Sequence, residues 1–426
     1  GLEETCTAEF IAGHLDALGY QVHRGLAKTA VVGTLRNGES NRAIGLRSDM
    51  DGLPISEQTG LPYASQNPGK MHACGHDGHM AMLLGAAKAI ADRRRFDGTV
   101  HLIFQPAEEN CGGARMMVDE GLFAKFPCDA VFSLHNDPNL PFGQFALRDG
   151  PIMAAVDEAR ITLHGRGGHG AEPENTADPI VAGAGIVMAL QTILSRNIQA
   201  FDPAVITVGS FHGGSASNII PSDVELVAGI RSFDPATRDF IEKRITEIAK
   251  FQAQSFGMTA SVDYERSYDA TVNHTAETAF LRDQAIQFAG VENVVDLDHP
   301  LMGREDFTYM LQACPGSYFF LGTAAGANPV SLHHPEYDFN DDILPTGARF
   351  WTHLTEAFLA RAPRKPAKSC KEKTPMKNKK AYDPSLTEAD QTELIIMDVK
   401  QEFNDKLDRD QRITMVNRIS WITEKA

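Results

Sequence analysis

A dense group of metal-binding residue types lies between Met71 and Met80, where the chain reads MHACGHDGHM. Three histidines, one cysteine and one aspartate stand there, just before a stretch that is rich in Ala and Leu. Burying so many ionisable groups costs several kcal/mol unless a cation pairs with them. Thiolate and imidazole ligands suit Zn, Mn, Co or Ni. The segment therefore predicts a metal site, and the alternative is a surface loop that happens to be rich in histidine.

Two adjacent carboxylates, Glu108 and Glu109, follow a predicted buried strand in the sequence QPAEE. Because adjacent like charges repel each other, a nearby cation is expected. One carboxylate can then bind metal while its neighbour acts as a general base toward water. A glutamate pair by itself is usually a solvated loop, so the catalytic interpretation depends on other ligands at neighbouring strand ends.

Two further histidines extend the candidate ligand set: His135 in SLHND and His333 in SLHHPEYDFND. A single histidine at a strand end more often forms a structural hydrogen bond than a metal bond. Together the candidate ligands are Cys74, His76, Glu109, His135 and His333. They are too many for one tetrahedral catalytic zinc that keeps an open position. The sequence therefore predicts two divalent ions that share a ligand.

The predicted secondary structure would bring these residues together. Short apolar runs at 43–47, 99–104 and 130–134 each lead into polar residues, as buried strands often do. Helical patterns at 77–93 and 114–120 alternate with them, which indicates a mostly parallel sheet. Ligands gather beyond the carboxyl ends of such strands. We therefore expect the polar residues to share that edge of the sheet.

Residues 157–268 have a different order of elements. The pattern predicts strand 159–164, helix 176–196, strand 204–211, strand 223–231, helix 235–256 and strand 259–268. This is the order of a ferredoxin-like α+β sandwich, which is a complete small fold. We therefore expect an inserted domain at 157–268 within a discontinuous catalytic domain made of 1–156 and 269–361.

Composition argues against several classes of protein. Hydrophobic residues at 42% and charged residues at 23% are ordinary for a globular enzyme, and no apolar run approaches the roughly 18 residues of a membrane span. The net charge of −16 argues against a nucleic-acid partner. The six cysteines lack framework spacing and no secretory signal is visible. A cytoplasmic protein with reduced thiols and no membrane partner is expected.

The C-terminal region differs from the rest of the chain. Residues 362–384 are rich in Lys and Pro, a composition that predicts a solvated linker. Residues 385–426 carry apolar side chains at helical spacing. They are predicted to form a helical or disordered appendage, whose partner is unknown.

The motif series resembles that of the dinuclear metalloamidases that include hippurate hydrolase, N-acyl-amino-acid amidohydrolases and indole-acetyl-amino-acid hydrolases, in the aminoacylase/carboxypeptidase G superfamily. The motifs occur in the family's order over residues 1–361; they are RSDMDGLP, MHACGHDGH, FQPAEE, GRGGHGAEP, SASNIIP, GREDF and LHHPEYDFND. The resemblance implies an α/β fold: a zinc-peptidase-like catalytic domain with a mostly parallel central sheet, plus an inserted ferredoxin-like lid and dimerisation domain. It also implies that the five candidate ligands hold two ions, that Glu108 is the base, and that Asp51 orients a ligand or the water.

The resemblance further implies roles for the inserted domain. His169 in GRGGHGAEP would stabilise the oxyanion, commonly in the active site of the partner subunit of a homodimer, and Asn218 in SASNIIP would contact substrate. The residues alone would predict only Gly-rich turns at these two positions. Arg231, at the end of a predicted strand, is a candidate for binding the substrate carboxylate, or else a plain surface arginine. The chain departs from the family at Arg304 of GREDF, where a small residue is more usual.

The predicted activity is metal-dependent hydrolysis of the amide bond of N-acyl amino acids, with Zn or Mn, or alternatively Co or Ni, as the two ions. Three other interpretations remain open at this point. A metallo-dipeptidase or carboxypeptidase acting on small peptides would share the metal site. A binding protein could keep the metals without catalysis. An amidase with Cys74 as nucleophile would stay active after chelation.

Overall fold

The computed structural model describes residues 1–324 and 330–360, and they form two compact units. Unit 1 contains 1–147, 274–296 and the described residues from 310 onward, whereas unit 2 contains 148–273 and 297–309. The predicted linker and C-terminal appendage lie outside the described residues. The domain borders proposed from the sequence remain a prediction, and segment 297–309 groups with unit 2 although the sequence pattern favoured the catalytic domain.

The helices of the described residues are α1 (Thr5–Ala17), α2 (His76–Arg93), α3 (Gly113–Asp119), α4 (Leu122–Lys125), α5 (Pro179–Thr192), α6 (Pro235–Ser255), α7 (Thr275–Ala289), α8 (Thr308–Ala313) and α9 (Leu344–Phe358). Five of the helices, α2 to α6, begin at a side-chain cap or a left-handed glycine. In α5 and α6 a proline occupies the first turn, and the preceding aspartates, Asp178 and Asp234, accept a backbone hydrogen bond. For this reason α5 begins at Pro179 and not at residue 176 as predicted.

The strands fall into one large and one small sheet plus two short ladders. They are β1 (Gln21–Arg24), β2 (Val31–Asn37), β3 (Ala43–Asp49), β4 (Gly98–Gln105), β5 (Ala130–Asp137), β6 (Phe145–Leu147), β7 (Gly150–Met153), β8 (Ala155–His164), β9 (Gly168–His169), β10 (Val205–His212), β11 (Ile219–Ile220), β12 (Asp223–Ser232), β13 (Thr259–Tyr268), β14 (Thr271–Asn273), β15 (Val294–Asp296) and β16 (Gly316–Gly322). The predicted strands are present, and β1 and β2 extend the large sheet on one side while β6 and β15 extend it on the other.

Unit 1 is built on an eight-stranded sheet with the order β1-β2-β4-β3-β5-β16-β6-β15. The central strands β4, β3, β5 and β16 are mutually parallel, so their carboxyl ends lie along one edge. All seven residues of β3 are buried, in agreement with the uninterrupted apolar run that predicted a central strand. The mostly parallel sheet is therefore confirmed, and it gathers the polar loops as expected.

Helices α2 and α9 cover the same core as these strands. Their close approach depends on Gly347 of α9, because a Cβ atom there would lie 1.9 Å from Met82 Sδ of α2. The core also contains the fully buried Trp351 and Phe350. This packing holds α2, which carries part of the metal-binding motif at its first turn, firmly against the sheet.

Unit 2 contains a four-stranded antiparallel sheet with the order β10-β12-β8-β13. Numbered along unit 2 this is strand order 2-3-1-4 with a helix after the first and third strands, which is the ferredoxin-like topology. Helices α5 and α6 pack on the sheet around a second core that includes Ile161, Ile186 and Ile245. The predicted element order of the insert is thus present.

One stretch among the described residues, Pro179–Asn197, is long and apolar enough to cross a membrane by length and composition alone. It comprises α5 and a following π turn. Its buried residues Ala182, Ile186 and Leu190 belong to the core of unit 2. These buried residues of the stretch therefore serve packing within that unit.

Candidate metal centre

The Cys74 thiol lies among the other predicted ligands in unit 1. Its Sγ atom is 3.4 Å from His135 Nε2 and 3.3 Å from His333 Nε2. Glu109 Oε1 lies 3.3 Å from the same nitrogen of His333. The ligand atoms of Cys74, His76 and Glu109 all lie within 4.8 Å of one another. Four side chains from separate parts of the chain, those of His76, Glu109, His135 and His333, therefore gather near the Cys74 sulfur atom.

A left-handed turn places Cys74 and His76 at the start of α2. Gly75 has φ +86° and precedes the first helical residue, His76. A Cβ atom at Gly75 would lie 2.5 Å from Asn136 Oδ1, so only glycine fits there. Cys74 and His76 consequently leave the turn on either side of a fixed glycine and both remain buried.

The two glutamates stand in the turn after β4, at the carboxyl edge of the sheet. Ala107 has φ +55°, a conformation that is unfavourable for a residue with a Cβ atom. Glu108 and Glu109 follow it and are both buried. The backbone N–H of Glu109 donates a 3.0 Å hydrogen bond to Asp51 Oδ2. Asp51 thus ties this turn to the loop that follows β3.

His333 reaches the cluster from a loop with a strained backbone. Its φ of +66° lies in the left-handed region, which costs roughly 1–3 kcal/mol for such a residue. Its backbone N–H donates a 2.8 Å hydrogen bond to Ala73 O, which joins this loop to the turn before α2. Such strain persists where the surroundings hold it, and here it directs an imidazole toward the thiol.

The environment of His76 shows that these residues fit a metal ion. Its Nδ1 atom is 3.2 Å from Asp51 Oδ1, whereas its buried Nε2 atom makes no hydrogen bond within the part of the chain that the structure describes. A carboxylate behind one ring nitrogen with the other nitrogen open is the usual arrangement of a metal-binding histidine. Thiolate, imidazole and carboxylate donors together suit transition-metal ions.

The acid–base properties of the cluster agree with this fit. Burial raises the pKa of the Cys74 thiol. Hydrogen bonds to Cys74 and Glu109 raise the pKa of His333 to about 10. Burial acts to lower the pKa of His76, but the charges of Asp49 and Cys74 outweigh it and the pKa rises well above its usual value. The cluster therefore favours positive charge at its centre, which either protons or cations can supply.

A buried polar network that the sequence did not predict lies behind the ligands. Arg47 donates to Asp49 Oδ2 at 2.9 Å and to Gln105 Oε1 at 2.8 Å. Asp49 Oδ1 is 2.6 Å from His79 Nδ1, and His79 Nε2 accepts a 3.0 Å hydrogen bond from the Asn136 backbone. The network thus runs from a fully buried arginine to the residue next to His135.

Two signals in the sequence could have revealed this network. His76 and His79 are three residues apart on α2, so both face the same side of the helix. Arg47 and Asp49 are two residues apart on β3, so their side chains share one face of the strand. The partner Tyr337, which accepts a 2.7 Å hydrogen bond from Asn136 Nδ2, had no such local signal.

The predicted functional residues of unit 2 lie on strands or directly beside them. His169 pairs with Ile219 in the β9–β11 ladder, and the N–H of Gly170 donates to Asn218 O at 2.8 Å. His169 and Asn218 are therefore neighbours, and both are exposed. Arg231 lies in β12 of the four-stranded sheet and is partly buried. The roles predicted for these three residues remain predictions.

Comparison with known proteins identifies the family. The model of peptidase family M20/M25/M40 matches residues 45–357. The chain belongs to this peptidase family. It is 40% identical to hippurate hydrolase of Campylobacter jejuni subsp. jejuni over 84% of this chain and 93% of that protein. It is 38% identical to thermostable carboxypeptidase 1 of Saccharolobus solfataricus, over 84% of this chain and 90% of that protein.

A solved structure of an M20 protein supports the same assignment. The Bacillus subtilis YXEP protein, described as a dinuclear metal binding peptidase from the M20 family, superposes with a TM-score of 0.72 at 29% identity. The match covers 84% of this chain and 92% of that protein. The predicted family and α/β fold are therefore confirmed. The chain is an M20 hydrolase of the metal-dependent amidohydrolase and peptidase class, with buried groups in unit 1 that can hold metal.

Proposed function

We propose that this M20 enzyme hydrolyses the amide bond of N-acyl amino acids to release a carboxylic acid and a free amino acid. The observation that carries the proposal is the convergence of thiol, imidazole and carboxylate groups around Cys74 Sγ. The similarity to hippurate hydrolase supports an N-acyl amino acid as the substrate class.

We assign two divalent ions to this centre, held by Cys74, His76, Glu109, His135 and His333. The Cys74 thiol, with a histidine nitrogen at 3.3 Å and another at 3.4 Å, would be one of the groups that hold the ions. Zn or Mn is the preferred metal, with Co or Ni as alternatives. When bound, such ions lower the pKa of a water molecule and polarise the substrate carbonyl.

Glu108 is the proposed general base. It is buried and stands next to Glu109 in the turn after β4, and it is not one of the proposed metal ligands. Glu108 takes a proton from the attacking water and later gives it to the leaving amine nitrogen. Asp51, through its contact with His76 Nδ1, fixes the orientation of that imidazole.

Unit 2 supplies the proposed substrate contacts. His169 would donate a hydrogen bond to the oxyanion, which at such positions typically contributes a few kcal/mol to lowering the barrier. Asn218 stands beside it and would contact the substrate. Arg231 would bind the substrate carboxylate through paired hydrogen bonds. His169 and Asn218 are both exposed, so their side chains can contact a ligand and do not belong to the hydrophobic core.

We further propose that the enzyme is a homodimer, or a higher oligomer, formed through unit 2. Its α5 exposes 53% of Val181 and 72% of Met188, and β10 is an outer strand of the four-stranded sheet. Exposed apolar side chains beside an open strand edge favour association. Light scattering should give about twice the chain mass of 46.5 kDa, and Met188→Glu should reduce it. A single-chain mass for the wild type would refute the dimer.

The reaction is expected to take place in the cytoplasm. The described cysteines Cys6, Cys74, Cys111, Cys128 and Cys314 are all free thiols. A reducing compartment preserves such thiols, and the proposed Cys74 ligand needs one. Fractionation of cells that produce the natural protein would test this location, and recovery outside the cytoplasm would contradict it.

The central experiment measures turnover of N-acetyl, N-benzoyl and indole-acyl amino acids beside free dipeptides, before and after chelation and with Zn or Mn restored. We expect hydrolysis of the acylated substrates, its loss on chelation and its return with metal. Preference for free dipeptides or for C-terminal peptide bonds would favour the peptidase alternative, to which the similarity with a carboxypeptidase lends support. Activity that survives chelation would favour a Cys74 nucleophile and refute the metal mechanism.

Two matched variants separate proton transfer from metal binding. Glu108→Gln should keep both ions and lose at least about 100-fold in kcat, because general base catalysis typically contributes 10²–10⁴-fold. Glu109→Gln, one residue away, should lose metal as well. Metal content measured by mass spectrometry distinguishes the two. Substantial turnover in Glu108→Gln would remove Glu108 from the mechanism.

A further inference from the structure

One proposed metal ligand differs from the other four in its backbone and in its exposure. His333 lies within residues 331–340 of unit 1, which form turns and irregular backbone. Its side chain is 52% exposed, whereas the other four proposed ligands are buried. Exposed irregular segments open more readily than packed helices and strands. The position of this imidazole therefore depends on the contacts that fasten residues 331–340, here called the His333 loop.

Tyr337 fastens the His333 loop to the central sheet. Its side chain is buried, and its hydroxyl accepts a 2.7 Å hydrogen bond from Nδ2 of Asn136, the residue after His135 in β5. Asn136 is itself fully buried. Breaking a hydrogen bond between two buried groups is costly, because neither group can bond to water instead. The contact thus joins the loop of one proposed ligand to the strand of another.

Tyr63 fastens the His333 loop to the segment between β3 and α2. Its side chain is buried, and its hydroxyl donates a 3.0 Å hydrogen bond to Asp338 Oδ2. In the same segment, the backbone N–H of Gln58 donates a 2.8 Å hydrogen bond to Pro335 O. The two tyrosines therefore hold the loop through different partners in different parts of unit 1.

Phe339 packs the end of the His333 loop against α2. A Cβ atom at Gly78 would lie 2.4 Å from Phe339 Cε2, so the buried ring rests directly on the backbone of the first turn of α2. The loop is thus held after His333 by an apolar contact at Phe339 and by the hydroxyls of two tyrosines.

The strained backbone of His333 gives these anchors an energetic role. Its φ of +66° is unfavourable, and such a conformation persists only while the surroundings hold it. Relaxation would move the imidazole away from Cys74 Sγ and Glu109 Oε1, each of which lies 3.3 Å from its Nε2 atom. Loosening the anchors should therefore weaken the contribution of His333 to metal binding.

We propose that Tyr337 and Tyr63 are positioning residues that hold His333 in place, and that the ion bound by His333 is the weaker bound of the two ions. This inference rests on the proposed metal centre. The other proposed ligands come from β5, the turn after β4 and the start of α2, which are packed parts of unit 1. Both hydroxyls should therefore affect the affinity of one ion and leave that of the other unchanged.

Competition between the Zn-loaded protein and a chelator measures the two affinities. The wild type should lose one ion at a lower chelator concentration than the other. Tyr337→Phe should weaken that ion about 10- to 100-fold, as typically found when an outer partner of a metal ligand is removed, and leave the second ion at the wild-type affinity. Tyr63→Phe should weaken the same ion. His333→Ala sets the upper limit, because it removes the ligand itself.

Co provides a spectroscopic test of the same site. Co added after removal of the weaker Zn ion should fill the emptied position, and its visible spectrum reports ligand geometry independently of turnover. The spectrum should change in Tyr337→Phe and in Tyr63→Phe, in the direction of His333→Ala.

Tyr20→Phe is the matched control. Tyr20 is a buried tyrosine of unit 1 whose hydroxyl donates a 2.9 Å hydrogen bond to Ala87 O. Tyr20→Phe should lower the urea midpoint of unfolding, but it should change neither the Zn affinities nor the Co spectrum.

Three outcomes would overturn the inference while leaving the proposed metal centre intact. They are two equally tight Zn ions in the wild type, equal weakening of both ions in Tyr337→Phe, and unchanged affinities in either tyrosine variant. A wild type that binds no Zn would refute the proposed metal centre together with the inference.

Discussion

Each unit of this M20 enzyme contains a buried arginine–aspartate pair, and the two pairs serve different purposes. In unit 1, Arg47 donates to one carboxylate oxygen of Asp49, and the other oxygen contacts His79. His79 in turn accepts a hydrogen bond from the backbone of Asn136, the residue next to His135. In unit 2, Arg238 and Tyr264 use both oxygens of Asp157. Asp49 therefore helps to position residues of the candidate metal centre, whereas both oxygens of Asp157 only stabilise the fold of unit 2.

The surroundings of the two aspartates explain this difference. Arg238 belongs to α6, and its bonds to Asp157 of β8 fasten that helix to the sheet. Arg47 and Asp49 belong to the same strand, so their pairing fastens no separate element. The second oxygen of Asp49 can therefore hold His79 in place. This contact lies at the carboxyl edge of the sheet, where ligands gather.

Removing Asp157 is the largest expected effect and tests the structural half of the comparison. Asp157→Ala leaves Arg238 without its main partner in a buried setting, which typically costs 3–5 kcal/mol, so about that loss is expected in the free energy of unfolding. Urea denaturation measures it, while metal content should stay at the wild-type level. The exposed Asp263 of β13 gives a control, since Asp263→Ala should cost less than about 0.5 kcal/mol.

A loss of metal in Asp157→Ala at temperatures where the protein stays folded would contradict the assignment of this pair to structure alone. If Asp157→Ala and Asp263→Ala lowered the unfolding free energy by the same small amount, the Arg238–Asp157 pair would not stabilise unit 2 and the assignment would also be wrong.

A second prediction concerns mild acid, to which Asp49 should not respond. Arg47, His76 and His79 hold the pKa of Asp49 well below its usual range against the opposing effect of burial, so its contribution is lost only in strong acid. His101 of β4 is different: it is buried, and burial lowers its pKa from 6.5 to about 4. Between these two pH values, the His101 side chain is protonated in the unfolded chain but stays neutral in the folded protein.

Stability should therefore fall as pH drops from about 6.5 to about 4, by roughly 3 kcal/mol from His101 alone. His101→Gln, which can keep a bond to Thr34 Oγ1, should flatten the decline of the unfolding free energy in this pH range. The exposed His212 provides the control, and His212→Gln should leave the decline in place. Parallel curves for wild type and His101→Gln would rule out this origin.

The sequence predicted the central strands and the five candidate ligands because both depend on local patterns. Apolar runs such as β3 and β5 identify buried parallel strands, and parallel strands share a carboxyl edge. Motif resemblance then selected which polar residues at that edge belong together. The convergence on Cys74 thus follows from short segments whose character is evident without knowledge of their partners.

The network of Arg47, Asp49 and His79 could not be predicted in the same way. It depends on which atoms face each other across separate segments, as with Asn136 and Tyr337, which are far apart in sequence. The sequence shows that these residues are polar, but it does not show which hydrogen-bond partner each of them has. The short strands β6 and β15 were missed for a different reason, because three residues carry too little pattern.

The smallest predicted effect tests the other half of the comparison, that the unit 1 network positions metal ligands. His79→Gln keeps the Arg47–Asp49 pair but breaks the rigid link between Asp49 and the backbone of Asn136, next to His135. Loss of such an outer partner typically weakens metal binding 10- to 100-fold, and a decrease of about that size is expected. Competition with a chelator measures the affinity, and the visible spectrum of the Co-substituted enzyme reports ligand geometry independently of turnover.

His212→Gln is the control for the metal measurements too, and it should match the wild type in both. If His79→Gln lowered the unfolding free energy but left the Co spectrum and the metal affinity untouched, the network would be only structural, like that of unit 2. His79→Asn is a shorter amide and cannot bridge the same gap, so it should weaken metal binding more than His79→Gln does. Metal affinity should therefore fall from the wild type to His79→Gln and further to His79→Asn. This order is expected if the imidazole spans from Asp49 Oδ1 to the Asn136 N–H, and a purely structural role of His79 would not produce it.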